Sequence, residues 1–83
     1  MNLQEITDVL FEYVGTAFEL DDDPGYTTDV NLFDEGYLDS LNGTELIMWV
    51  EERFGIEISQ KDITLYPMNS IEEIANVIYS KRG

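Results

Sequence analysis

Ser40 is the residue in this chain whose type and position could support chemistry. It follows Gly36-Tyr37-Leu38-Asp39, where a loop gives way to an apolar pattern with helical spacing, so Ser40 is expected at a helix N-terminus. Free backbone N–H groups and the positive end of the helix dipole favour a phosphate or another anion there. The alternative is that Asp39 or Ser40 only caps the helix, because both residue types are preferred at that position.

Nucleophilic catalysis is not predicted for this serine. The chain has no His and no Cys, so neither a Ser–His nor a Cys–His pair can form within it. Lys61 is too distant in the chain to be assigned as an activating base, and a Gly-rich phosphate loop is absent from the sequence. We therefore predict no catalytic residue, and Ser40 is better suited to be a substrate than a catalyst.

The acidic run that begins at Asp21 raises the question of a calcium site. Counted from Asp21, the sixth residue is Tyr26 and the twelfth is Leu32, where an EF-hand loop requires a glycine and a bidentate acid. The motif fails, so we predict no metal site and interpret the run as a solvated acidic loop.

The charge of the chain limits the classes of partner. Eighteen acidic and four basic residues give a formal net charge of −14, which repels nucleic-acid phosphates and anionic lipids. We expect proteins with basic patches as partners, although the acids could also serve only solubility. The sequence shows no Cys, no secretory signal pattern and no apolar stretch of membrane-spanning length. A cytoplasmic monomer that neither binds nucleic acid nor inserts into membranes is the expectation.

Helical periodicity predicts an all-α fold with three main helices, one short helix and a long loop between the first two helices. The first helix is predicted over residues 3–18. The loop covers residues 19–37 and is expected to be held by Leu32 and Phe33, with help from Val30. The second helix should begin at Asp39-Ser40 and end at Phe54, before Gly55. The predicted core faces are Leu3, Ile6, Leu10, Tyr13, Val14, Ala17 and Phe18 on the first helix, and Leu46, Ile47, Val50 and Phe54 on the second.

Two capping boxes are predicted after the second helix. Ser59 with Asp62 should open a single helical turn that Pro67 closes, and Ser70 with Glu73 should open the last helix. All of these elements fit one domain over residues 1–83.

A second stripe on the helix after Ser40, running from Leu41 to Glu52, does not belong to the predicted core. Its middle is apolar and its edges are acidic, as is typical of a surface that meets partners by light hydrophobic contact and by charge. Trp49 falls between this stripe and the core stripe. The residues predicted for partner binding are Leu41, Thr44, Glu45, Met48 and Glu52.

The segment L-F-D-E-G-Y-L-D-S-L, followed by T-E-L-I-M-W-V-E-E-R-F-G-I-E-I, resembles the acyl carrier protein family over nearly the whole chain. The resemblance implies an acyl-carrier-protein-like helical bundle. It also implies that Ser40 carries 4′-phosphopantetheine, obtained from coenzyme A, and that Asp39 and Leu41 flank the site in the positions read by phosphopantetheinyl transferases. A carried acyl or aminoacyl group would form a thioester on the arm. The implied partners are a phosphopantetheinyl transferase, a loading ligase or acyltransferase, and a downstream synthase or transferase.

The resemblance also bears on the subclass. Asn42 and Gly43-Thr44 stand where fatty-acid carriers usually show an Asp and then a Val, which argues against fatty-acid synthesis. The phrase L-F-D-E-G-x-L-D-S resembles D-alanyl carriers and other free-standing carriers, including those of polyketide and nonribosomal pathways. We expect a free-standing carrier in specialised biosynthesis, with D-alanyl transfer and fatty-acid synthesis as alternatives. An unmodified acidic interaction module, in which Ser40 is only a cap, is the alternative from a different class.

Overall fold

The computed structural model describes residues 1–82 and contains four helices within that range. They are α1 (Leu3–Ala17), α2 (Ser40–Phe54), α3 (Gln60–Leu65) and α4 (Ile71–Arg82). The described residues contain no strand. The all-α prediction with three main helices, one short helix and a long first loop is therefore confirmed.

Most of the predicted signals at the helix starts and stops are found in the structure. α3 opens with a complete capping box, in which Ser59 accepts from Asp62 N and the Asp62 carboxylate accepts from Ser59 N. α2 ends at Gly55, whose φ of 64° is left-handed and so favours glycine. At the start of α4, Glu73 N donates to the Ser70 hydroxyl, but the Glu73 carboxylate accepts from Asn69 N rather than from Ser70 N. The second predicted box is thus only half formed.

One apolar core joins α1, α2 and α4 with buried residues of the loop. Burying a Leu or Ile side chain contributes roughly 1.5–3 kcal/mol, so this core is the main source of stability. The largest fully buried side chains are Ile6, Leu10, Val14, Leu32, Leu46, Val50, Phe54, Ile71, Ile74 and Ile78.

Two predicted core residues of the first helix are wrong. Leu3 is 38% exposed and Ala17 is exposed, because each lies at an end of α1 where the neighbouring elements do not cover it. Ile47 is only partly buried, at the edge of the α2 core stripe. Trp49 is half-buried and stacks on Tyr13 with ring centroids 3.7 Å apart, so it joins α2 to α1.

Backbone and side-chain hydrogen bonds attach the long loop to α1 and to the start of α4. Tyr26 OH donates to Phe11 O of α1, and Leu32 N donates to Asn69 O. Glu72 N donates to Thr28 O, which satisfies one of the free amide groups in the first turn of α4. The loop therefore has a fixed course that brings its end to the start of α2.

Of the predicted loop attachments, Leu32 is fully buried and Val30 packs against the core, whereas Phe33 is 37% exposed and contacts α2 at Gly43 instead of entering the core. Leu20, Tyr26 and Leu38 are buried in the core as well, although the sequence analysis did not single them out.

Candidate functional site

Ser40 is the first residue of α2 and is exposed. The residue before it, Asp39, is the N-cap: its backbone is extended, and its Oδ1 accepts from Asn42 N at 2.9 Å. Leu38 is buried, and its N–H donates to Leu32 O, which anchors the chain immediately before the helix. Capping thus belongs to Asp39, and Ser40 is presented to solvent at the helix start.

The loop reaches this geometry through Gly36. Its φ of 77° lies in the left-handed region, where a side chain is disfavoured. Gly36 N donates to Phe33 O and Tyr37 N donates to Leu32 O, so the chain reverses tightly between Leu32 and Leu38. The glycine allows the turn that aims the Asp39-Ser40 pair outward.

The helix start suits a covalently attached phosphate better than it suits a nucleophile. The amide groups of the first turn and the helix dipole stabilise negative charge near Ser40. Within residues 1–82, no group of three or more His, Cys, Asp or Glu side chains is arranged to hold a metal ion. The site can therefore present a hydroxyl for modification and offset the charge of the attached group.

A groove between α2 and α3 begins at Ser40. Its volume is about 530 Å³, which falls within the range of ligand-binding clefts. Leu46, Ile47 and Ile74 form part of its floor, and Glu51 and Gln60 add polar groups. An apolar cleft with a few polar side chains fits a flexible chain that carries both apolar and amide segments.

The predicted partner-binding stripe lies on the solvent side of α2. Leu41 and Met48 are 68% and 62% exposed, and Glu45 and Glu52 are exposed beside them. Thr44 is exposed too, and its hydroxyl donates to Ser40 O while the residue lines the groove. All five predicted residues are therefore exposed along α2: Leu41 and Thr44 lie near Ser40, whereas Glu52 lies near the other end of the helix.

Sequence reasoning missed two contributions to this region. Phe33 and Gly43 pack against each other at the Ser40 end of the groove. Ile63 of α3 and Tyr66 after it also line the groove and are 45% and 49% exposed, and Leu65 between them is 59% exposed. Their positions depend on how the loop and α3 pack on α2, which local periodicity does not contain.

Three of the four basic residues, Arg53, Lys81 and Arg82, make contacts at the end of α2 or on α3. Lys81 forms a 2.8 Å salt bridge with Asp62, and Arg82 donates to the carbonyl of Phe54 at the end of α2. The guanidinium of Arg53 stands 5.3 Å from the centroid of the Phe54 ring. Hydrogen bonds from Lys81 and Ser59 lower the pKa of Asp62 to about 2. Arg53 and Arg82 thus lie at the C-terminal end of α2, where cations stabilise the helix dipole.

Two tyrosines of the loop have raised pKa values. Burial, reinforced by the charge of Asp21, raises the pKa of Tyr26 well above its ordinary value. Desolvation and a hydrogen bond to Asp23 raise the pKa of Tyr37. Both hydroxyl groups therefore stay protonated at neutral pH, and neither tyrosine is suited to transfer a proton.

Comparison with known proteins identifies the family. The family described as "phosphopantetheine attachment site" matches residues 8–78. The chain belongs to the acyl carrier protein family. This carrier protein is 30% identical over 81 residues to the acyl carrier protein of Solidesulfovibrio magneticus, covering 96% of this chain and 94% of the relative. It is 34% identical over 73 residues to the D-alanyl carrier protein of Bacillus velezensis, covering 88% and 87%. No solved structure matches.

Membership in the acyl carrier protein family implies a covalently attached 4′-phosphopantetheine, and the residues present fit that group. The matched range contains three serines, Ser40, Ser59 and Ser70. Ser59 and Ser70 accept hydrogen bonds from Asp62 N and Glu73 N as helix caps, whereas Ser40 is exposed beside the groove. Carrier proteins are not catalytic themselves. Across residues 1–82 of this carrier protein, no helix has the length and apolar character needed to cross a membrane.

Proposed function

We propose that Ser40 is the attachment site of 4′-phosphopantetheine. The observation that carries this proposal is the division of roles at the start of α2: Asp39 caps the helix, so the neighbouring Ser40 hydroxyl is exposed. The helix N-terminus would stabilise the phosphodiester, and this offsets the charge of Asp39. When bound, the arm supplies the thiol that the cysteine-free chain lacks, and cargo is held on it as a thioester.

The proposed partner surface consists of Leu41, Thr44, Glu45, Met48 and Glu52. The two apolar side chains are more than half exposed, and the two carboxylates flank them. A basic patch on a phosphopantetheinyl transferase, a loading ligase or acyltransferase, or a downstream synthase would complement this charge. Because the cargo is tethered, weak contacts suffice to give a high effective concentration at each partner's active site.

We propose a free-standing carrier of an acyl or aminoacyl unit, acting in polyketide- or nonribosomal-type biosynthesis. The support for a free-standing carrier is the segment L-F-D-E-G-x-L-D-S, which resembles such carriers. Asn42 and Gly43-Thr44 support a role other than fatty-acid synthesis, since they depart from the pattern of those carriers. The names of the relatives favour two competing assignments, D-alanyl transfer and a general acyl carrier.

The attachment site is tested by incubating the protein with coenzyme A and a phosphopantetheinyl transferase, followed by intact mass measurement. We expect one arm on the wild type and none on Ser40→Ala. Ser80→Ala is the matched control, because Ser80 is an exposed serine of α4 outside the matched range, and this variant should be loaded normally. A wild type that stays unmodified with several competent transferases would refute the proposal.

The cargo is tested on protein purified from its native host without cleavage of thioesters. Intact mass and fragmentation of the arm would identify the retained group. An alanyl group would support D-alanyl transfer, a saturated fatty acyl group would support fatty-acid synthesis, and either result would overturn the assignment to specialised biosynthesis.

A further inference from the structure

Phe33 forms an aromatic wall at the Ser40 end of the groove. A Cβ placed on Gly43 would stand 3.1 Å from both Cε1 and Cζ of the Phe33 ring, which is closer than ordinary van der Waals contact. The ring therefore lies directly on the surface of α2 where a side chain would otherwise stand. Glycine is disfavoured within a helix relative to alanine, so this close approach gives Gly43 a specific packing role.

The loop holds the base of the Phe33 side chain in place. Asn31 Oδ1 accepts from Phe33 N and from Asp34 N, each at 3.0 Å. Gly36 N donates to Phe33 O at 3.0 Å, and the preceding residue, Leu32, is fully buried. The backbone of Phe33 is thus fixed on both sides, and the ring is presented to α2 in a defined position.

The ring stands close to the point where an arm would leave Ser40. Ser40 and Gly43 are three residues apart on α2, and such residues have Cβ atoms about 5–6 Å apart on one helix face. Ser40, Gly43 and Phe33 all line the same groove. Phe33 is 37% exposed and lines the groove, so its ring is accessible to a group attached at Ser40.

We infer that Phe33 is a positioning residue for the phosphopantetheine arm, and this inference rests on Ser40 as the attachment site. The arm carries two methyl groups on the quaternary carbon that follows the CH2 group of its phosphate ester, and this is its apolar segment nearest to Ser40. Those methyl groups pack against the free part of the Phe33 ring, which directs the arm along the groove between α2 and α3. Preordering the arm in this way lowers the ordering cost at each partner.

The test uses NMR spectra of the loaded protein, with intact mass confirming attachment at Ser40 first. In the wild type, the ring should move the two arm methyl resonances upfield from their positions in free 4′-phosphopantetheine. Phe33→Leu keeps an apolar side chain but has no ring current, so the upfield shift should be lost. Tyr79→Leu is the matched control, because Tyr79 is a similarly exposed aromatic on α4 that does not line the groove, and the shift should be retained.

A second variant tests the contact between the Phe33 ring and Gly43 without removing the ring. Gly43→Ala adds a Cβ that must displace the ring, so the upfield shift should decrease although the variant remains folded in a thermal melt. Arm methyl resonances that match free 4′-phosphopantetheine in the loaded wild type, or that are unchanged in Phe33→Leu, would overturn the inference. Failure of the wild type to accept the arm would instead refute the attachment site, so the two failures are distinguishable.

Discussion

Replacement of Asp39 separates its structural role from its role in recognition. In the fold, Asp39 Oδ1 accepts from Asn42 N at 2.9 Å and so satisfies one of the free amide groups of α2. Removing an N-cap of this type costs about 0.5–2 kcal/mol, and typically ~1 kcal/mol. For a domain of this size, ~1 kcal/mol corresponds to a decrease in melting temperature of about 4–8 °C. Asp39→Ala should therefore melt several degrees below the wild type.

Asp39→Asn is the matched variant, because asparagine caps helices about as well as aspartate. It loses an interaction with the helix dipole of about 0.3–1 kcal/mol and also removes one charge from a chain of net charge −14, so the two effects oppose each other. We expect its melting temperature to stay near that of the wild type.

The same pair of variants tests whether the carboxylate itself is read by a phosphopantetheinyl transferase. If it is, Asp39→Asn should accept the arm more slowly than the wild type despite its normal stability. Thermal melts by circular dichroism and loading rates by intact mass give the two readouts. Equal melting temperatures for the wild type and Asp39→Ala would refute the capping argument, and equal destabilisation of both variants would show that charge rather than the hydrogen bond is responsible.

Two further perturbations test local features of the fold. The Asp62 pKa is lowered in the folded state from 3.8 to about 2, so its contribution is present above the unfolded pKa and is lost as pH falls through the folded value. The wild type should therefore be more stable than Asp62→Asn at neutral pH, and acid melts should show this difference disappearing between about pH 4 and pH 2; a constant difference would contradict the assignment. Glu19 has a φ of 57° at the end of α1, where Leu20 N donates to Gly15 O and Glu19 N to Thr16 O, so Glu19→Gly should raise the melting temperature by a few degrees. Glu19→Gln keeps a side chain on this left-handed backbone and removes only the charge. If its melting temperature rises as much as that of Glu19→Gly, the charge is the cause.

The elements around Ser40 could be predicted because their signals are local. Asp39, Ser59 and Gly55 each specify a helix boundary through their own side chain or backbone preference, and all three act as expected. The apolar stripe that contains Leu46 and Val50 likewise follows from the helical repeat. These features need no knowledge of what the rest of the chain does.

The remaining features depend on contacts between distant segments. Periodicity places Leu3 and Ala17 on the core face of α1, but it does not say how far the covering elements reach along that helix. The Phe33 ring packs on α2 because Gly43, ten positions later in the chain, has no side chain there. The position of the Trp49 side chain is set by its stacking on Tyr13 of α1. In each case the partner is set by the packing of the loop or of another helix, which no local pattern contains.

The distribution of charge along α2 connects stability with the proposed partner binding. At its C-terminal end, Arg82 binds the Phe54 carbonyl and Arg53 lies against the Phe54 ring, so cations stabilise the negative end of the helix dipole. Along the same helix, Glu45 and Glu52 remain exposed beside Leu41 and Met48. A basic partner docked there would relieve repulsion in a chain of net charge −14, and by linkage its binding would stabilise the fold. The same acidic surface that limits the stability of the free protein would therefore favour its complexes, provided that they form through this face.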